Sequence, residues 1–253
     1  MTSSILAGAE PWSHVGDSDH GAVVLHGFTG NPGSVRGLAT ALAGIGFHVE
    51  MPLLPGHGTA VDDMLPTRWA DWVGEAEAAY QRLGERVTNV VVVGLSMGGT
   101  LTLRLGANHA EIAGLVCINP VAQPQATEIT EMLRGLADGG TAVLPGIGSD
   151  IADPDAHENA YDGTPIEPLL SMLLDGVEPL SNEYAQMHVP LLLMNSPQDH
   201  VVEPAHAEFL ADRYGGPVER ITLERSYHVA TQDYDKELIV EATSKFATRV
   251  VSR

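Results

Sequence analysis

The residues best suited to covalent chemistry gather around one serine. Ser96 lies in Gly94-Leu95-Ser96-Met97-Gly98-Gly99, a G-x-S-x-G pattern. Asn89-Val90-Val91-Val92-Val93 before it reads as a buried strand, and a helical pattern opens at Met97. A serine on such a strand–turn–helix junction stands at the top of a sheet in a strained backbone conformation. The flanking positions need glycine because a Cβ there would strike the adjoining strand and helix. The helix N-terminus favours negative charge developing beside it. This is a setting for nucleophilic attack on a carbonyl carbon. The competing reading is a tight turn that happens to hold a serine.

A serine hydroxyl attacks poorly until a base takes its proton. At junctions of this kind the partners follow the nucleophile in the order acid, then histidine, on loops behind late strands. Among the 11 histidines, His228 fits: it follows the strand-like run 218–223 and the short loop 224–227, and it precedes the last helix. Asp199, at the tip of the loop after the strand 190–195, is the acid that would orient it. The competing reading of Asp199 is a turn or helix-cap aspartate. His188, His200 and His206 come too early in the chain. His14, His20, His48, His57, His109 and His157 read as surface or loop histidines. Two backbone N–H groups should hold the oxyanion, that of Met97 and one from the loop His26-Gly27-Phe28-Thr29-Gly30, where Phe28 is the donor. His26 is expected to buttress that loop.

These groups need a scaffold, and the chain offers one. Consecutively apolar runs at 22–26, 47–51, 89–94, 114–119, 190–195 and 218–223 are expected strands buried on both faces. Helical patterns at 34–43, 68–83, 97–108, 204–214 and 235–251 alternate with them. That alternation implies an α/β fold with a mostly parallel sheet and helices on both faces. It breaks between 121 and 186, where Gly139-Gly140, Pro145-Gly146 and several prolines accompany short apolar clusters. The expected layout is a core of residues 1–120 and 187–253 with an inserted cap at 121–186.

Composition narrows the partners. The 253 residues carry 13 Lys plus Arg against 33 Asp plus Glu, a formal charge of −20. Such a surface repels phosphate backbones, so nucleic acid is not an expected partner. The single cysteine, Cys117, allows no intrachain disulfide and reads as a buried structural thiol. Residues 1–12 lack the pattern of a signal peptide, and no apolar run is long enough to span a bilayer. A cytoplasmic location is the expectation, with no metal and no organic cofactor required.

Five segments, His26-Gly27-Phe28-Thr29-Gly30, Pro55-Gly56-His57-Gly58, Gly94 to Gly99, Asp199-His200-Val201-Val202 and Ser226-Tyr227-His228-Val229-Ala230-Thr231, together resemble bacterial monoacylglycerol lipases and similar carboxylesterases of the α/β-hydrolase fold. Gly148-Ser149-Asp150-Ile151 and His157-Glu158-Asn159-Ala160-Tyr161 resemble the cap of the lipases in particular. The resemblance implies a small mobile cap forming a hydrophobic entrance for one acyl chain, and a cap glutamate, Glu158 by position, that binds the glycerol headgroup. Asn159 and Asp162 depart from the apolar residue and glutamate commoner there. Independently of the resemblance, Ile147, Ile151, Ile166, Leu169, Leu170, Met172, Leu173 and Leu174 could line an apolar channel. Their plainer role is packing of cap on core.

The expected function is hydrolysis of a single-chain lipid ester, a monoacylglycerol, through an acyl-enzyme on Ser96, with transient contact to a lipid interface through the cap. Alternatives are a broad short-chain carboxylesterase, then a thioesterase or acyltransferase, and, from a different class, a ligand-binding protein on a hydrolase scaffold.

Overall fold

The computed structural model describes residues 3–146 and 148–252. In chain order its elements are β1 (Trp12–His14), β2 (His20–Leu25), α1 (Arg36–Gly44), β3 (His48–Met51), α2 (Val61–Met64), α3 (Trp69–Gly84), β4 (Asn89–Leu95), α4 (Met97–Asn108) and β5 (Gly114–Ile118). After β5 the chain leaves the sheet and makes α5 (Thr127–Asp138), a two-stranded ribbon of β6 (Val143–Pro145) and β7 (Gly163–Pro165), α6 (Ile166–Ser171), a π-helical turn over Met172–Val177, and α7 (Glu178–Ser181). It returns with β8 (Leu191–Asn195), α8 (Ala205–Arg213), β9 (Val218–Thr222) and α9 (Lys236–Val251).

Seven strands form one sheet in the order β1-β3-β2-β4-β5-β8-β9. β1 pairs antiparallel with β3, and the other neighbouring pairs are parallel. β1 was not expected from the sequence. It is three residues of an edge strand, too short to show a period.

Each central strand serves two cores, which is why its apolar run is continuous. Val90 and Val92 of β4, Leu115 and Cys117 of β5, and Leu191 and Leu193 of β8 pack into one cluster with α3, α4 and α8. Their neighbours Val91, Val93, Val116, Ile118, Leu192 and Met194 pack on the opposite face, against α1 and α9. Cys117 is fully buried; its thiol faces the Gly99 carbonyl at 3.5 Å, and burial pushes its pKa up. The excursion between β5 and β8 extends the first cluster rather than standing apart from it. Ile166, Met172, Leu173, Val177, Leu180 and Tyr184 are buried within that cluster.

The register brings the strand ends level. Leu25 lies opposite Gly94, Leu95 opposite Ile118, Ile118 opposite Met194, and Asn195 opposite Thr222. The loops after β2, β4, β5, β8 and β9 therefore all leave from one edge, the carboxyl edge where open parallel sheets build their sites.

Candidate active site

Ser96 occupies the turn from β4 to α4 with φ 57° and ψ −120°. A non-glycine residue at positive φ is strained by roughly 1–3 kcal/mol, and the surroundings must hold it there. Here they do. A Cβ on Gly94 would stand 2.0 Å from the Gly98 carbonyl oxygen, and one on Gly98 would stand 2.2 Å from that of Leu25. The strand, turn and helix thus approach more closely than any side chain would permit.

His228 and Asp199 meet as the chain order anticipates. His228 Nδ1 lies 2.7 Å from Asp199 Oδ2, and both side chains are buried. The other carboxylate oxygen, Oδ1, accepts from the Val201 and Val202 N–H groups, each at 2.8 Å. A carboxylate fixed in this way can only accept, so Nδ1 donates and Nε2 keeps its lone pair. Ser96 and His228 line the same cavity of about 320 Å³. Among the described residues no hydrogen bond joins them, and such contacts commonly tighten only on substrate binding.

The loop after β2 closes against the serine. A Cβ on Gly27 would lie 3.3 Å from Ser96 Cβ. His26 is fully buried; its Nε2 accepts from Leu54 N–H at 3.1 Å and its Nδ1 donates to Gly27 O at 3.0 Å. Phe28 lines the cavity, and its ring packs edge-on against Trp72 and His57. Met97 opens α4 and is fully buried. Among the described residues neither the Phe28 nor the Met97 N–H donates to another protein group.

Two histidines read as surface or loop residues are in fact buried: His48 and His57. The Pro55-Gly56-His57-Gly58 turn packs His57 against His26 and Phe28 of the loop after β2, and its Nδ1 pairs with Pro55 O at 3.0 Å. Burial lowers its pKa to about 4, and burial together with nearby His57 holds His26 well below the ordinary imidazole value.

The cavity wall is mostly apolar: Val121, Ile129, Leu133, Leu169, Met172 and Leu173, with Val201 and Val202 beside the acid loop. Of the described members of the channel set read from sequence, Leu169, Met172 and Leu173 line this cavity, whereas Ile166 is buried in the core and Leu174 lines a separate cleft. Leu170 is buried one residue round the α6 turn from Leu169; it lines that separate cleft with Arg68, Ser171 and Asp175. Ile151 packs with the core on the α1–α9 face of the sheet instead of facing the cavity. Ile147 lies outside the described residues. Glu158 does reach the cavity, with its carboxylate against the loop after β2, where a Cβ on Gly30 would stand 2.9 Å from Oε1. The residue is half-buried by exposed area, but burial around its carboxyl raises the pKa, opposed by the nearness of His228.

Sequence reasoning missed the groups that hold the histidine loop. Asn119, at the end of β5 with φ 45°, donates from Nδ2 to His228 O at 2.8 Å and accepts Ser196 N–H at 2.8 Å. Asp233 is fully buried and accepts the N–H groups of Ala152 (2.8 Å), Asp153 (3.0 Å) and Tyr227 (2.8 Å). Asp235 accepts from Arg225 N–H at 2.9 Å and the Ser226 hydroxyl at 3.0 Å. The one available hint was the pair of aspartates just past His228.

A family model described as serine aminopeptidase, S33, matches residues 17–235. A thermostable monoacylglycerol lipase of Bacillus sp. (strain H-257) is 40% identical over 245 residues, 96% of this chain and 95% of that protein. A carboxylesterase of Bacillus subtilis (strain 168) is 25% identical over 235 residues, 92% of this chain and 94% of that one. A solved structure from work on two metagenome-derived lipolytic enzymes superposes with a TM-score of 0.90 at 38% identity, over 97% of this chain and all of the other. The monoacylglycerol lipase of Paleococcus ferrophilus, at 17% identity and TM-score 0.75 over 95% and 99% of the two chains, shares the fold.

Proposed function

This chain belongs to the α/β-hydrolase family of monoacylglycerol lipases and carboxylesterases, and is a carboxylic ester hydrolase; from that premise we propose that it cleaves monoacylglycerols to glycerol and free fatty acid. The observation that carries the reading is the shape of the site. Ser96 and the Asp199–His228 pair open on one largely apolar cavity of about 320 Å³, and the Glu158 carboxyl stands beside the loop after β2. An acyl chain fits the apolar wall, and Glu158 offers glycerol hydroxyls a hydrogen-bonding group. Residues 121–186 act as the cap that supplies most of that wall.

In this reading Ser96 Oγ attacks the ester carbonyl while His228 Nε2 takes the hydroxyl proton. Asp199 holds the imidazole and stabilises its cation. The carbonyl oxygen becomes an oxyanion held by the Phe28 and Met97 N–H groups. Collapse breaks the bond to the glycerol oxygen, which leaves with the proton from His228. Water, deprotonated by His228, then attacks the acyl-enzyme and releases the fatty acid and Ser96.

The test is turnover by the protein and by Ser96→Ala of 1-monoacylglycerols of graded chain length, a diacylglycerol, p-nitrophenyl esters, an acyl-CoA and an aminoacyl p-nitroanilide. Ser96-dependent turnover strongest on monoacylglycerols is expected. Turnover confined to short simple esters would move the function to a general carboxylesterase. Preference for the anilide would move it to the peptidase chemistry named in the family description.

A further inference from the structure

We infer that Asp150 is a positioning residue for the triad: its carboxylate, carried by the excursion, clamps the loop of His228 to the loop of Asp199. Its Oδ2 accepts two main-chain N–H groups, from His228 at 3.0 Å and from His200 at 3.1 Å. Its Oδ1 pairs with His200 Nδ1 at 2.8 Å, and its main-chain oxygen accepts Val229 N–H at 3.1 Å. One residue therefore grips the backbone of the base itself, the residue after the base, and the residue after the acid.

The burial pattern agrees with that role. The Asp150 side chain is 12% exposed and that of its partner His200 is 61% exposed. The carboxylate is thus the sheltered half of the pair, and one of its oxygens serves main chain alone. The 2.7 Å bond between His228 and Asp199 is formed by side chains at the tips of two separate loops. A common anchor on both backbones fixes their separation, and misplacement of about 1 Å at reacting groups costs on the order of 10²-fold in rate.

The same strap reaches the far side of the cavity. Ser149 Oγ accepts Glu158 N–H at 2.9 Å, and Asp233 pins the next residues, Ala152 and Asp153, to the histidine loop. The seating of residues 149–153 is therefore shared between the triad and Glu158.

This inference rests on the triad reading above, and the experiment separates the two. Asp150→Ala and Asp150→Asn are compared by active-site titration, melting temperature, and kcat and KM on a 1-monoacylglycerol and on p-nitrophenyl acetate. Asp150→Ala is expected to lower kcat on both esters by on the order of 10- to 100-fold, with KM within about threefold, at a temperature where the variant is folded. Asp150→Asn keeps an oxygen for the two main-chain donors, and His200 can turn Nδ1 to accept; its kcat should return to within about threefold of the parent. Should Asp150→Ala not fold, Asp150→Ser, whose side chain is too short to reach both loops, takes its place.

Three results overturn the proposal: an unchanged kcat in Asp150→Ala, a rise in KM for the monoacylglycerol alone, which would make Asp150 a substrate contact, or equal loss in the Ala and Asn variants. Activity persisting in Ser96→Ala would instead bring down the triad reading. A dead Ser96→Ala beside a fully active Asp150→Ala brings down this inference only.

Discussion

Phe28 has two separable parts, a ring that lines the cavity and the main-chain N–H proposed to hold the oxyanion. Phe28→Ala removes the ring and leaves the donor; Phe28→Pro removes the donor. The alanine variant should keep substantial turnover, while the proline variant loses on the order of 10²–10³ in kcat. Equal losses in two folded variants would contradict the backbone role. Residues of the candidate site were legible from sequence where a local motif or loop order marks them. Ser96 announces itself through its glycines, and Asp199 and His228 through loop order behind strands. Apart from local bonds of Asp233, such as that to Tyr227, Asn119, Asp150 and Asp233 act across 50 to 109 residues of chain, from Asp150 and His200 to Asn119 and His228. No spacing rule reaches that far, because only the fold brings their partners near.

At the scale of elements, the central strands β4, β5 and β8 were legible because burial on both faces leaves them almost no polar positions; β9, expected to be buried on both faces, is instead an edge strand with Glu219, Arg220 and Thr222 exposed. The excursion was not legible. α5 was hidden among glycines and prolines, and its apolar residues divide their duties: Leu133 is buried, whereas Ile129, Met132 and Leu136 are 42%, 54% and 37% exposed. The channel assignment failed at Leu170 for a related reason, since neighbouring helical positions point about 100° apart and composition does not say which one faces the cavity. Ile129 and Leu133 of α5 and Met172 and Leu173 of the π-helical turn line the same cavity as Ser96 and His228. Leu133→Trp should therefore shorten the acyl chain turned over fastest in a graded monoacylglycerol series and leave p-nitrophenyl acetate kinetics within about twofold. An unchanged chain-length profile would place the acyl chain elsewhere.

For the whole molecule, the buried histidines set a limit in acid. His57 is held at about 4 in the folded protein against 6.5 for the free side chain. The unfolded chain therefore takes up a proton between pH 6.5 and about 4 that the native state refuses, and stability falls as pH drops through that window. The loss approaches about 3 kcal/mol from His57 once pH is below 4, and His26 adds to it in the same direction. Urea midpoints should decline from pH 7 to 4.5, and His57→Phe should flatten the decline if it folds. A midpoint independent of pH in the parent would refute this account. The charge of −20 acts over a longer range: hydrolysis at anionic lipid surfaces should be slower than at zwitterionic ones, with the gap closing as salt is raised.

The lone thiol of Cys117, sealed in the middle of the sheet beneath Gly99, serves as a stopwatch. A maleimide dye added to the intact enzyme finds no other cysteine in the chain, and it can reach this one only when the two cores come apart. Its rate of incorporation thus times whole-molecule opening, independently of the ester chemistry. Catalytic-loop variants should alter turnover while the dye keeps parent time, and variants of the cores should quicken it.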